Sequence, residues 1–151
     1  WAQINITGWA LGPRIIYVHG KDKKGNWGPL TNKTIEITEA CRMHIEHMVM
    51  KPPEKIKGCK YIYVKVTILD EKSKPVKDAY VTGKWTVPNS FDYLNGTWTD
   101  SDGCATLWAR TKKQGTFTFK FEVTNVTKTD CIYDSNANKI NPPIVSQTLS
   151  Y

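Results

Sequence analysis

The chain has no apolar run near the roughly 20 residues that a helix needs to cross a bilayer, so this segment holds no membrane span. Arginine is scarce: only Arg14, Arg42 and Arg110 occur among 21 basic side chains. Nucleic-acid readers carry more Arg in a continuous basic stripe, so no nucleic-acid partner is expected. No G-x-S-x-G elbow is present, and a nucleophilic triad would have to draw on three histidines, His19, His44 and His47. No C-x-x-C pair occurs, which argues against a zinc knuckle or a thioredoxin-like site. Internal repeats, low-complexity stretches, an initiator Met and a signal-peptide pattern are also missing. The chain starts at Trp1 in mid-motif, which reads as a piece processed or excised from something longer.

What is present bounds the class. The 151 residues suit one domain, or one domain plus part of another. Hydrophobic residues make up 40% and aromatics 11%, too many for a disordered chain. The net charge of +7 comes mostly from dispersed lysines, which read as a soluble, edge-protecting surface and secondarily as an attraction for acidic surface polymers. Cysteines number four, an even count: Cys41, Cys59, Cys104 and Cys131. N-x-S/T sequons stand at Asn5, Asn32, Asn95 and Asn125. Together they point to an extracellular, secreted or cell-surface, disulfide-bonded glycoprotein.

The dominant hydrophobic period is two. Ile62, Val64, Val66 and Ile68 share one side of a strand, and Tyr61, Tyr63, Lys65 and Thr67 the other. Ala79, Val81, Gly83, Trp85 and Val87 form a second inward set, and Phe117, Phe119, Phe121 and Val123 a third. Such strands are buried on one face, as in a sandwich of antiparallel sheets. Asp70 to Pro75, Asn95-Gly96 and Asp102-Gly103 read as turns, and Lys112 to Gly115 as the link of a hairpin joining Cys104–Arg110 to Thr116–Val126. Met43–Met50 reads as an opening strand with a competing helical pattern, and Pro52-Pro53 should end either element. About seven strands then fit residues 41–135, the count and size of an immunoglobulin-like sandwich.

Residues 1–38 form a separate unit with strands at Ile15–His19 and Thr34–Thr38, and two strands cannot bury a core alone. The tail, residues 139–151, reads as a linker or an exit strand.

Two stretches resemble known modules. Gly8 to Pro29, with its I-Y-V and D-x-x-G-N-W-G-P runs, resembles the closing hairpin of a prokaryotic Ig-like domain whose earlier strands are absent. Residues 39–138, with P-V-x-x-A-x-V-x-G-x-W from Pro75 to Trp85 and T-D-S-x-G-x-A-T from Thr99 to Thr106, resemble the Ig-like or fibronectin-III-like accessory domain of secreted subtilisin-like proteases and surface proteins. The resemblance implies an all-β, Ig-like accessory module without catalysis. The family does not supply the bridges, because its members usually lack these cysteines. Cys41–Cys59 would tie the ends of the first loop and Cys104–Cys131 the turn before one strand to the loop after its partner; this pairing is favoured.

Several clusters invite chemistry. Cys41-x-x-His44-x-x-His47 has ligand types, but on a strand the offset of three puts the histidines on opposite faces. Asp100, Asp102 and Gly103, and Asp22 with Asn26, are oxygen-rich turns that could hold calcium, although Asp-Gly is first a turn former. No other cofactor is implied. Trp85 is read as core, whereas Trp108, Tyr61, Tyr63 and Tyr80 read as outward; with Trp98, whose parity the pattern leaves open, they form a candidate ligand or partner surface, the alternative being a face covered by the other module or by a glycan. The expected function is a non-catalytic structural, adhesion or accessory module, partnered by neighbouring domains of its parent chain. The alternatives are a filament subunit assembling by strand complementation and a carbohydrate-binding module.

Overall fold

The computed structural model describes residues 4–87, 92–112 and 114–150. It divides at Ala40/Cys41 into two compact units. In the first, β1 (Gly12–Val18) and β2 (Thr31–Ile37) pair antiparallel from Gly12↔Ile37 to Val18↔Thr31. Both start earlier than the sequence pattern suggested. The connecting loop is held by Asp22, whose Oδ1 accepts the backbone N–H groups of Lys24 and Asn26, each at 2.8 Å.

The second unit contains eight strands among the described residues: β3 (Cys41–Ile56), β4 (Cys59–Asp70), β5 (Tyr80–Thr86), β6 (Tyr93–Trp98), β7 (Cys104–Thr111), β8 (Phe117–Thr127), β9 (Cys131–Tyr133) and β10 (Ile144–Leu149). One sheet runs β7-β4-β3-β9 and the other β10-β8-β5-β6. The alternating apolar sets of both sheets enter one core: Ile62, Val64, Val66 and Ile68 from β4 meet Val81, Trp85, Phe119 and Phe121 from the other sheet. The unit is therefore an all-β, two-sheet sandwich. Trp85 is fully buried, with its ring centroid 4.8 Å from that of Phe121. Gly83 is required there, because a Cβ would collide with the Phe121 ring and lie 2.8 Å from the Glu122 carbonyl oxygen.

β3 and β4 form a long hairpin closed by Lys57 (φ 47°) and Gly58 (φ 75°), a two-residue turn whose positive φ values match the twist of the strands. Pro52-Pro53 does not end β3. The pair lies at a register shift between Lys51 and Glu54, where one extra residue leaves the ladder and a missing N–H costs nothing. A second bulge lies between Ile45 and His47. Met43–Met50 is strand, and its apolar Met43, Ile45 and Met48 are buried.

Two turn expectations fail. Asn95-Gly96 lies within β6, where the Tyr80 ring covers Gly96; a Cβ there would approach the Tyr80 hydroxyl oxygen to 2.6 Å. The glycine thus makes room for a ring and not for a turn. Lys112 to Gly115, of which Lys113 lies outside the described residues, does not close a hairpin: β7 pairs with β4, and β8 with β5 and β10, so the link crosses between sheets. Asp70 and Asp100 do organise turns. Oδ1 of Asp70 accepts N–H from Lys72 and Lys74, and Oδ1 of Asp100 accepts N–H from Asp102 and Cys104. The tail contributes β10, which pairs with β8 from Ile144↔Glu122 to Leu149↔Phe117.

Candidate functional site

The cysteines are arranged differently from the expected pairing. Cys41 is bonded to Cys131, their Cα atoms 4.4 Å apart, at the start of the parallel β3–β9 ladder. Cys59 and Cys104 are buried thiols. Cys41 and Cys59 begin opposite ends of the β3–β4 hairpin, so a strand length separates them. Cys104 and Cys131 lie on the two outer strands of one sheet, roughly 14 Å apart at about 4.8 Å per strand, beyond the reach of a bridge. Sγ of Cys104 instead donates to the Asp102 carbonyl oxygen at 3.4 Å.

The bulge before His47 overturns the face assignment of the histidines. His44 pairs with Leu69 and His47 with Thr67, so the inserted Glu46 brings both rings to the outer face. Glu46 reaches each of them, with Oε2 3.1 Å from His44 Nε2 and Oε1 3.8 Å from His47 Nε2. Among the described residues no group of three or more His, Cys, Asp or Glu is placed to hold a metal ion. The oxygen-rich turns direct carboxylate oxygens inward: Asp22 and Asp100 bind backbone N–H groups, which holds the Asp22 carboxyl below its usual range. Near His44 a cleft of about 430 Å³ is lined by Arg42, Glu71 and Asp134, each of which is already engaged within the fold. Arg42 lies 3.6 Å from Asp134, and its backbone N–H donates to Glu71 Oε2 at 2.9 Å. Hydrogen bonds from its own backbone N–H and that of Arg42 keep the Glu71 carboxyl below the usual range.

The sequons differ in setting. Asn5, Asn32 and Asn125 are exposed. Asn95 pairs with Gly83 and so has the inward parity of β5; its Nδ2 donates to the Trp108 carbonyl oxygen at 3.2 Å, linking β6 to β7.

The outward aromatics form two groups, not one surface. Tyr80 and Trp98 face each other across β5 and β6, centroids 4.8 Å apart, on the outer face of the β10-β8-β5-β6 sheet. Beside Trp98, which is 63% exposed, lies a second cleft of about 450 Å³, lined by Asp78, Thr127, Lys128 and Thr129. Tyr61, Tyr63 and Trp108 stand on the outer face of the other sheet, on the far side of the core. Tyr61 lies 6.4 Å from Tyr63 and 5.6 Å from Trp108 between ring centroids.

The sequence pattern placed Lys65 on the outward side with Tyr61 and Tyr63, but it did not place Lys51 or Glu54 beside them. Register places Lys51 beside Tyr63, Glu54 beside Tyr61, and Lys65 in the next row with Val49 and Thr106. Partial burial, then the charge of Glu54 and a hydrogen bond from the phenol to it, raise the Tyr63 pKa. The signal available was lysine density: from Lys51 to Lys65 the chain has five lysines and one carboxylate, Glu54. No family model matches the chain, and no curated protein matches it.

Proposed function

We propose that this chain is a non-catalytic, extracellular, Ig-like module of a larger secreted or cell-surface protein, acting by rigid spacing and surface contacts. The observation that carries the reading is where the reactive side chains go. Asp22, Asp70 and Asp100 cap turns, Glu46 engages both histidines of β3, and Cys41 with Cys131 forms a bridge. The bridge is weakly consistent with an oxidising compartment, and the exposed sequons support the same compartment. The Ig-like assignment and the link to accessory domains of subtilisin-like proteases rest on the sequence resemblance. The test is a panel of peptide, ester and glycoside substrates incubated with the full chain. No turnover is expected, and a rate that follows the purified protein would overturn the reading.

The filament reading keeps one observation in its favour. The β1–β2 hairpin exposes Ile15, Tyr17 and Val18, and such an edge can accept another strand. Light scattering over a concentration series decides it: a concentration-independent monomer argues against polymerisation.

A further inference from the structure

We propose that the outer face of β3, β4 and β7 binds an acidic polysaccharide, with Trp108, Tyr61 and Tyr63 as a ring platform and Lys51 and Lys65 as its cationic flank. This deepens the module reading and rests on it, since it names the ligand class of a non-catalytic domain. Trp108 is 43% exposed, and Tyr61 and Tyr63 are half-buried, so part of each ring projects from the sheet. A partly projecting ring suits the C–H face of a pyranose, which needs only local contact. A nucleobase gains most from a whole ring face.

Charge decides between a neutral and an acidic glycan. Lys51 is in register with Tyr63 and Trp108, and Lys65 occupies the adjacent row. The one carboxylate between them in sequence, Glu54, already accepts a hydrogen bond from Tyr63. From Cys104 to Lys112 there is no acidic residue. The end of the sandwich nearest the β3–β4 turn is therefore positive. Uronate or sulfate groups on a sugar chain would meet this field while the rings hold the sugar faces. A docked protein would have to strip water from the same lysines, which a carboxylate-bearing glycan leaves wet.

The test uses the full chain with polygalacturonate, neutral dextran and a single-stranded oligonucleotide of matched charge, read by tryptophan fluorescence and calorimetry. Polygalacturonate is expected to bind, to shift the emission, and to bind more weakly as salt rises. Trp108→Ala and Tyr61→Ala should each weaken it by about tenfold, and Trp108→Phe should retain most of it. The double change Lys51→Gln with Lys65→Gln should weaken binding and flatten its salt dependence. Trp98→Ala, on the opposite outer face, should bind as the parent does. Absence of polygalacturonate binding, equal binding of dextran or oligonucleotide, or an unaffected Trp108→Ala variant would each overturn the proposal. Release of sugar fragments would instead overturn the non-catalytic reading and leave the binding face standing.

Discussion

Residues 4–40 leave nine large apolar side chains exposed, from Ile4 to Leu30, and bury only Ile37. The described part of residues 41–150, about three times as long, exposes six and buries twenty-two hydrophobic residues. Both regions are strands with alternating sequence. The difference is a second layer: β4 has a sheet opposite it, whereas β1 and β2 have only each other within their unit. Alternation therefore announces a strand, and burial requires a facing strand set that alternation cannot supply.

The sharpest way to break this contrast is to remove a side chain from each region. Trp85→Ala should destabilise the sandwich by about 3–5 kcal/mol, through lost burial and the cavity left against Phe121. Tyr17→Ser in the hairpin should leave the same urea midpoint nearly unchanged. An equal shift for both would mean that the two regions share a core.

Opening the Cys41–Cys131 bridge by a double serine substitution should cost about 2–4 kcal/mol, because it frees a loop of 90-residue separation in the unfolded chain. Thermal melts with and without the bridge measure it, and no shift would mean that the β3–β9 ladder contributes little. Thr99→Val should cost about 1–3 kcal/mol by chemical denaturation. Oγ1 of Thr99 accepts the Ala79 N–H at 2.9 Å and donates to the Val76 carbonyl oxygen at 2.6 Å, and valine leaves both unpaired inside. A neutral outcome would show that water replaces the hydroxyl.

The smallest effect belongs to the exposed ion pair of Lys84 and Asp92, 2.7 Å apart. A hydrogen bond from Lys84 lowers the Asp92 pKa below 3.8, and the same bond raises that of Lys84 above 10.5. The Asp92 contribution is present above 3.8 and disappears as pH falls through its folded value; the Lys84 contribution is lost as pH rises through its own. Asp92→Asn should therefore lower the Tm slightly at neutral pH, with the difference closing in strong acid. A gap that persists in acid would assign the effect to packing.

The inward sets of β4, β5 and β8 were legible because each strand keeps its parity over several residues. Trp85 followed from the same rule. The bulges at Glu46 and at Pro52-Pro53 were not, since one inserted residue reverses parity without leaving a hydrophobic mark. That is why His44 and His47 read as opposite and stand together. The disulfide was hidden for a different reason. Pairing depends on which strands are neighbours, and β3 meets β9 across 90 residues of sequence. Likewise Tyr80 read as outward together with Trp108, but parity does not say which sheet a strand joins, and the pattern left the side of Trp98 open. Lys65 shared the outward side of Tyr61 and Tyr63 by alternation, whereas Lys51 could be seen only as charge until the register set it beside Tyr63.

The Cys41–Cys131 bond also fixes how the sandwich would carry a mechanical load. A pull between Ala40 and Ser150 passes from Cys41 straight to Cys131 through covalent sulfur, bypassing β4 to β8. The 90-residue span, which would add on the order of 300 Å of extended chain if released, stays shielded while the bond lasts. Only the segment beyond Cys131 can peel, by unzipping β10 from β8 and then the remainder of β9 from β3. Under tension the module is then a short covalent link with a shallow, reversible extension, and reduction would convert it into a long one.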